Sequence, residues 1–165
     1  VAHDNLFDTC RSHHIDTQED DTEEDLFFRL WLAHIEPNFP KDRPVIVHDY
    51  PPNHAALAKV RDEAKGASWA ERFEVYIGGL EVANAFHELT CPQEQRKRFA
   101  SDMDARSRRY GESFLPTPLP DEFLQALASG MPPAAGIAVG FDRLVMLLDD
   151  EPDIRYVKWL TPSCP

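Results

Sequence analysis

Residues 71–90 decide the fold, and they read ERFEVYIGGLEVANAFHELT. Two stretches rich in β-branched and aromatic residues, 73–77 and 80–89, flank the dipeptide Gly78-Gly79. Two glycines between such stretches predict a tight antiparallel hairpin, because both turn residues can adopt positive φ. We therefore predict that this hairpin forms the centre of an antiparallel sheet.

The predicted turn places Glu74 and Glu81 on the same face of the hairpin. Side chains alternate along a strand, so Glu74 shares a face with Tyr76, which lies opposite Glu81 across the turn. The two glutamates are then diagonal neighbours, with their backbones roughly 7–8 Å apart. Two carboxylates at this spacing suit a shared hard cation. The alternative interpretation is a solvated acidic face.

The second strand of the hairpin carries a further set of polar and aromatic residues. Asn84, Phe86 and Glu88 share one parity, which is opposite to that of Glu81. A bulge near Ala83 would bring all of them onto one face, and bulges are frequent beside active sites. The pattern predicts an acidic floor that includes an amide and has one aromatic wall.

The composition is that of one globular domain with a strongly acidic charge balance. The chain has 165 residues and a formal net charge of −12. This charge argues against non-specific binding to nucleic-acid backbones. No apolar stretch has the length of a membrane span, and there is no signal-peptide pattern. Cys10, Cys91 and Cys164 lack metal-binding or redox spacing, which indicates free thiols in a reducing cytoplasm.

The N-terminal part of the chain is the most acidic. Residues 1–24 include most of the run DTQEDDTEED, and we predict an acidic loop or a poorly ordered segment there. A helix is expected to begin at about Thr22, which can cap it, and to end at Pro37. Arg29 lies within this helix and is expected at the surface.

Shorter elements are predicted on both sides of the hairpin. A strand over 44–49, a helical turn over 54–60 and a charged connection over 61–70 precede it. A helix over 92–110, ended by a glycine, follows it. Basic residues cluster on one face of this helix: Arg96, Lys97, Arg98, Arg106, Arg108 and Arg109. We interpret this cluster as a solvated face, with a docking surface for an acidic protein or RNA as the alternative.

The C-terminal part of the chain combines small and apolar residues. A proline-rich loop is predicted over 112–120, and a short helix follows over 121–129. A buried strand is predicted over 134–140 (AAGIAVG), and it leads into a buried helix over 141–148 (FDRLVMLL). Arg143 stands out, because a charge inside a buried helix is costly unless it is paired. Phosphate binding and a salt bridge to a nearby acid are the two alternatives.

The segment GLEVANAFHEL at 79–89 resembles the lysine-site strand of class II lysyl-tRNA synthetases. It resembles even more closely that of their paralogues, the ligases that attach β-lysine to a lysine of elongation factor P. The resemblance runs from about 26 to 148 and is strongest at 71–90 and 130–148. It implies an α+β fold, in which 25–165 form the C-terminal portion of a class II catalytic domain with an antiparallel β-sheet core flanked by helices.

The resemblance implies a nucleotide site. Glu74 and Glu81 would hold Mg²⁺ against ATP, and Arg143 would be the catalytic residue that binds the distal phosphates. Gly136 and Gly140 would let the backbone approach the nucleotide.

The resemblance also implies an amino-acid site. Glu88 would receive the ε-ammonium group of lysine or β-lysine, Asn84 would orient the substrate, and Phe86 would form a wall of the pocket. Lysyl-tRNA synthetases carry glycine where this chain has Ala138, whereas the elongation factor P ligases carry alanine. A methyl group there is expected to disfavour α-lysine more than β-lysine.

The activity implied is activation of lysine or β-lysine as an adenylate by ATP, followed by transfer to a lysine of elongation factor P in the cytoplasm. A lysyl-tRNA synthetase acting on tRNA and a non-catalytic synthetase-like binding module are the alternatives. The sequence contains neither of the first two class II motifs nor an anticodon-binding barrel. We therefore expect a fragment of a homodimeric parent, with weak ATP binding and little or no adenylation on its own.

Overall fold

The computed structural model of the chain describes residues 3–62, 68–111 and 120–159. Within these ranges, the helices are α1 His3–Ser12, α2 Glu23–Leu30, α3 Pro92–Tyr110, α4 Asp121–Ala128 and α5 Phe141–Asp149. The strands there are β1 Val45–Tyr50, β2 Val60–Asp62, β3 Ser68–Ile77, β4 Leu80–His87 and β5 Ala135–Val139. The proline-rich loop predicted over 112–120 lies outside the described residues except for its last position.

The strands form one antiparallel sheet in the order β1-β3-β4-β5, and β2 pairs with β3. In the β2–β3 ladder, Val60 lies opposite Ala70 and Asp62 lies opposite Ser68. Helices accompany this sheet in sequence on both sides of the hairpin. The predicted α+β class with an antiparallel core is therefore confirmed.

The central hairpin also forms as predicted. β3 ends at Ile77, β4 begins at Leu80, and the two glycines between them have φ values of +61° and +86°. An added β-carbon on Gly78 would lie 2.9 Å from Cδ2 of Leu147 in α5, so this turn has little room for a side chain. Positive φ at both positions is the conformation that two-residue hairpin turns need, and glycine adopts it without steric cost.

The chain divides into two compact units, and each is assembled from separate stretches of sequence. The first unit contains Val1–Val47, Phe73–Asn84 and Ala138–Pro165, and the second contains His48–Arg72 and Ala85–Ile137. The boundaries between the units fall within strands β1, β3, β4 and β5. In the part of the chain that the structure describes, no helix has the length and apolar character needed to cross a membrane.

The first unit contains a helix where the sequence predicted a loop. α1 occupies His3–Ser12, and the stretch between α1 and α2 lacks a helix. Cys10 in α1 is fully buried, and its Sγ lies 3.6 Å from the carbonyl oxygen of Leu26 in α2. Leu6 and Cys10 stand four positions apart and therefore share one face of a helix, which the acidic residues that follow obscured.

The loop before α2 is held by an ion pair that the sequence did not predict. Asp21 is buried, and its Oδ1 accepts a hydrogen bond of 2.9 Å from Nη2 of Arg29. Burial alone would raise the pKa of Asp21, but the hydrogen bonds from Arg29 and from the Gln18 backbone lower it overall. Thr22 caps α2 as predicted, with Asp25 completing a capping box. Arg29 is therefore a paired residue rather than a simple surface one.

In the second unit, extended structure replaces two predicted connections. The turn predicted over 54–60 is a 3-10 helix at Pro52–His54, followed by an isolated antiparallel bridge between Ala58 and Glu88. β2 extends into the charged connection predicted over 61–70, and β3 begins within it at Ser68. Pairing with a neighbouring strand stabilises these charged residues in extended conformation, and local composition does not reveal such pairing.

The C-terminal strand and helix have the predicted positions but not the predicted burial. Four of the five residues of β5 are exposed. In α5, Phe141 is 74% exposed and Leu148 is 84% exposed. The prediction of a buried strand and a buried helix is therefore wrong for both. Apolar composition shows that these residues gain from burial, but it does not establish that this chain covers them.

Candidate functional site

In the first unit, a tyrosine fixes the position of Glu74. The phenol of Tyr76 donates a hydrogen bond of 2.7 Å to Oε2 of Glu74, and both residues are buried. The ring of Tyr76 packs edge-on against Phe39, with centroids 4.9 Å apart. Burial, and then the hydrogen bond and charge of Glu74, raise the pKa of the Tyr76 phenol. The phenol therefore stays protonated and keeps its donor directed at the carboxylate.

The carboxylates of Glu74 and Glu81 both influence the pKa of the Tyr76 phenol. The charges of Glu36 and Glu81 also raise the pKa of Tyr76, after burial and Glu74. The placement of Glu74, Tyr76 and Glu81 on one face of the hairpin stays a prediction. Asn84 lies on β4 as predicted, but the predicted bulge near Ala83 stays a prediction.

Arg143 approaches Glu81 within the first unit. Its Nη1 donates a hydrogen bond of 2.6 Å to the main-chain oxygen of Glu81 and lies 3.5 Å from Oε2 of the same residue. The side chain of Arg143 is 45% exposed, so this arginine is not the buried charge that the sequence predicted. A guanidinium has five N–H donors, and these contacts engage one of its nitrogens. The salt bridge expected as one alternative is present, and the side chain remains accessible to an anion.

An open pocket of about 420 Å³ lies beside Arg143 in the first unit. Its other lining residues are mostly apolar: Leu80, Met146, Pro152, Asp153 and Ile154. Hydrogen bonds from the side chain and backbone of Arg155 lower the pKa of Asp153 to about 2, so this carboxylate stays ionised and paired. Apolar walls with a few polar groups are typical of small-molecule sites.

The donor set of Glu74 and Glu81 fits a magnesium ion that also binds phosphate. Within 3–62, 68–111 and 120–159, no group of three His, Cys, Asp or Glu side chains is arranged to hold a metal. Mg²⁺ is commonly bound through one or two carboxylates, with substrate phosphates and water supplying its other ligands. A pair of carboxylates therefore matches this ion better than it matches a site built from protein ligands alone.

Two other candidate residues of the first unit differ in their surroundings. The amide oxygen of Asn84 is buried and has no hydrogen-bond partner among the residues that the structure describes. An acceptor without a partner is uncommon in protein interiors, and it points to a missing donor such as a ligand or water. Gly140 donates its amide proton to the carbonyl oxygen of Val82 at 2.9 Å, and Ala138 is exposed on β5.

In the second unit, Glu88 lies against Gly136. An added β-carbon on Gly136 would lie 2.6 Å from Oε1 of Glu88, a distance shorter than any van der Waals contact. The main-chain N–H of Glu88 donates to the carbonyl oxygen of Ala134 at 2.9 Å. Gly136 was expected to allow close approach of a nucleotide. The close approach seen here is that of the Glu88 carboxylate.

His87, the last residue of β4 and the neighbour of Glu88, contacts an acidic side chain that sequence reasoning missed. Nδ1 of His87 lies 2.6 Å from Oε2 of Glu71, and both side chains are half-buried. Phe86 is also half-buried. With the turn at Gly78-Gly79, the predicted register places Glu71 opposite Phe86 and His87 on the other face of the hairpin, so no signal in the sequence indicated this pair.

The structure thus brings the candidate residues together in two groups. In the first unit Tyr76 contacts Glu74 and Arg143 contacts Glu81. In the second unit Glu88 lies against Gly136. Tyr76 was assigned only a place on the face, although it holds the carboxylate of Glu74. The sequence did not reveal this role of Tyr76, because the hydrogen bond depends on the burial of both side chains.

Comparison with known proteins gives these groups a context. The family described as tRNA synthetases class II (D, K and N) matches residues 13–161. The elongation factor P–(R)-beta-lysine ligase of Haemophilus influenzae is 43% identical over 146 residues, which cover 88% of this chain and 43% of that protein. The protein of the same name from Haemophilus ducreyi is 39% identical over 142 residues, 86% of this chain and 42% of the relative. The protein of that name from an Enterobacter species is 44% identical over 130 residues, 77% of this chain and 38% of the relative. This chain therefore spans about two fifths of the length of these relatives.

Proposed function

The chain belongs to the family of class II tRNA synthetases of the D, K and N type, and we propose that it forms part of a ligase that modifies elongation factor P. The ligase activates β-lysine or lysine with ATP and transfers the acyl group to a lysine side chain of elongation factor P. The observation that carries this proposal is the 43% identity to ligases of that name, over a region that includes Glu88 and Arg143. The proposed acceptor is a translation factor, so the reaction belongs to the cytoplasm.

The proposed reaction has two steps. A carboxylate oxygen of the amino acid attacks the α-phosphorus of ATP, the bond to the β-phosphate breaks, and pyrophosphate leaves. The amine of the acceptor lysine then attacks the carbonyl carbon of the adenylate, and AMP leaves. In both steps the protein aligns the reactants and stabilises charge, with no covalent bond to the enzyme.

Glu74 and Glu81 would hold Mg²⁺, and Arg143 would bind phosphate oxygens. Bound Mg²⁺ supplies positive charge that neutralises the triphosphate. Tyr76 supports this role of Glu74, because it fixes one carboxylate oxygen through a 2.7 Å hydrogen bond. The half-exposed guanidinium of Arg143 has the planar fork of donors that suits phosphate.

Glu88 would bind the ε-ammonium group of the substrate. A carboxylate and an ammonium form a charge-assisted hydrogen bond, which is strong in a shielded site. Gly136 supports this role, because the absence of a side chain there leaves the space that the carboxylate occupies. Asn84 would contribute its unpaired amide oxygen to an amine donor of the substrate, and Phe86 would form an apolar wall.

Ala138 would set the preference between the two isomers of lysine. Its methyl group would exclude the α-amino group of lysine and tolerate the amino group of β-lysine. One methyl group discriminates by about 10–200-fold in favourable cases. We expect Ala138→Gly to raise activation of α-lysine by about tenfold relative to β-lysine.

Amino-acid-dependent exchange of pyrophosphate into ATP by the full-length protein that carries this chain tests the function. With β-lysine as substrate, we expect Glu88→Gln to lower the exchange at least about 100-fold, because a charged partner of the ammonium is removed. Glu122→Gln, an exposed acid on α4, is the matched control. Exchange that persists in Glu88→Gln would contradict the site, and acylation of tRNA in place of elongation factor P would favour a lysyl-tRNA synthetase. The 165-residue chain alone is expected to show no exchange.

A further inference from the structure

Arg98 differs from the other basic residues of α3. Its side chain is 19% exposed, and Nη1 donates to two main-chain oxygens, that of Ala58 at 2.7 Å and that of Ala56 at 3.0 Å. Its Nε donates to Oε1 of Glu94 at 3.3 Å. Neighbouring Lys97 is exposed and lies 4.0 Å from the same glutamate. Arg98 is therefore half-buried against the backbone of the second unit and does not belong to a solvated basic face.

The segment that Arg98 holds has an unfavourable backbone conformation. Ala56 has a φ of +49°, which residues with a β-carbon rarely adopt. The N–H of Ala58 donates to the carbonyl oxygen of Ala55 at 2.7 Å, which closes a tight turn. The main-chain oxygens of Ala56 and Ala58 both accept hydrogen bonds from the guanidinium of Arg98. The two hydrogen bonds from Arg98 thus stabilise a turn that the chain disfavours on its own.

The same segment binds the backbone around Glu88. Ala58 forms an antiparallel bridge with Glu88. The N–H of Lys59 donates to the oxygen of His87 at 2.8 Å, and the N–H of Leu89 donates to the oxygen of Leu57 at 2.9 Å. Hydrogen bonds therefore hold the residue before Glu88 and the residue after it.

From these contacts we propose that Arg98 is a positioning residue for Glu88, a role that rests on the proposed function of Glu88 as the ligand of the substrate ammonium. Arg98 fixes the turn at 55–58, the turn fixes the backbone around Glu88, and Gly136 leaves space for the carboxylate. Arg98 itself does not contact the substrate. Its removal moves or loosens the carboxylate and leaves the chemistry of ATP unchanged.

Amide hydrogen exchange in the 165-residue chain tests the structural part of this inference. Arg98→Gln removes the charge and the fork of donors, whereas Lys97→Gln, the next residue, removes an exposed charge as a control. We expect Arg98→Gln to speed exchange of the Lys59 and Leu89 amides about tenfold, with no change in Lys97→Gln. Unchanged exchange at both amides would overturn the proposal.

Kinetics of pyrophosphate exchange in the full-length protein test the functional part. We expect Arg98→Gln to raise the KM for β-lysine about tenfold and to leave the KM for ATP unchanged, with partial recovery in Arg98→Lys. In a Glu88→Gln background, Arg98→Gln is expected to add no further loss, because both act through one contact. Equal rises in both KM values, or additive losses, would overturn the proposal.

These measurements separate the inference from the function on which it rests. If Glu88→Gln lowers β-lysine activation but Arg98→Gln does not, the positioning role fails and the proposed function stands. If Glu88→Gln has no effect on activation, the proposed function fails, whatever the amide exchange shows. Should Arg98→Gln not fold, Arg98→Lys provides the same comparison, since a lysine retains the charge but cannot reproduce the planar fork.

Discussion

Arg98 and Arg143 are both helix arginines, and the structure uses them in opposite ways. The sequence placed Arg98 on a solvated basic face and Arg143 inside a buried helix. In the structure, the side chain of Arg98 is 19% exposed and that of Arg143 is 45% exposed. Arg98 bonds two main-chain oxygens of a strained turn, whereas the hydrogen bond and ion pair of Arg143 go to Glu81. The comparison teaches that neighbouring residue types do not reveal whether an arginine is held against the backbone or left accessible to solvent.

The largest expected effect separates the two arginines by activity. Arg143→Ala is expected to lower pyrophosphate exchange by the full-length protein at least about 100-fold, as removal of a transition-state charge donor does elsewhere. The free energy of unfolding is expected to change by less than about 1 kcal/mol, because the side chain is half-exposed. Pyrophosphate-exchange assays measure the loss of activity, and urea denaturation measures the change in the free energy of unfolding. A large loss of stability with normal exchange would make Arg143 a structural residue like Arg98.

The converse change tests the other side of the comparison. Arg98→Ala is expected to lower the free energy of unfolding of the chain by about 2–3 kcal/mol, because two main-chain oxygens lose a charged donor. Lys97→Ala is expected to change it by less than about 0.5 kcal/mol. Urea denaturation followed by circular dichroism measures both variants. Equal stability of the two variants would show that Arg98, like Lys97, contributes nothing measurable to the fold.

A pair of glycine variants compares the space around Glu88, which Arg98 is proposed to position, with the space around Arg143. Gly136→Ala places a β-carbon 2.6 Å from Oε1 of Glu88 and is expected to cost about 1–2 kcal/mol of stability through overpacking. In Gly140→Ala, the new β-carbon would lie 3.4 Å from Cδ of Arg143. The free energy of unfolding of this second variant is expected to fall by less, since 3.4 Å is an ordinary contact. Thermal denaturation of both variants measures these losses of stability. If Gly136→Ala lost no more stability than Gly140→Ala, the Glu88 side chain would be able to move aside freely.

A third arginine, Arg29, extends the comparison to pH and carries the smallest expected effect. The pKa of Asp21 lies below its ordinary value because of Arg29 and the Gln18 backbone, against the opposing influence of burial. The stabilisation is therefore complete above the unfolded pKa of about 3.9 and is lost as the pH falls through the folded pKa. Asp21→Asn is expected to remove about 1 kcal/mol at neutral pH and to flatten the dependence below about pH 4.

Urea midpoints between pH 7 and pH 2.5 measure this dependence. Asp20→Asn, which changes an exposed neighbour, is the control and is expected to follow the unaltered chain. If the two variants had the same pH profile, the pair between Asp21 and Arg29 would contribute nothing measurable.

The features that the sequence predicted correctly depend on local geometry. Gly78 and Gly79 determine the hairpin because only their neighbours matter for a two-residue turn. The shared face of Glu74 and Glu81 follows from alternation on either side of that turn, and it stays a prediction. The carboxylate of Glu88 against Gly136 was out of reach, since 48 residues separate them and no local pattern links them.

Burial was the least predictable property. The apolar residues of α5 suggested a buried helix, yet Phe141 is 74% exposed. The acidic run at 16–25 suggested that everything before it was a loop, yet α1 buries Cys10 completely. In both places the composition of a stretch reports its preference for water, whereas burial depends on which other segments fold against it.

The interleaving of the two units along the chain has a consequence for how the protein can fold and be dissected. The hairpin contributes Phe73–Asn84 to the first unit, and the second unit takes the segments on either side of it. Neither unit is a continuous piece of chain, so a ribosome cannot complete one before synthesising most of the other. Contacts that close such long loops slow folding. No single cut releases either unit intact, and shortening the chain from the C-terminal end removes α5 and part of β5 from the first unit before the second unit loses a residue.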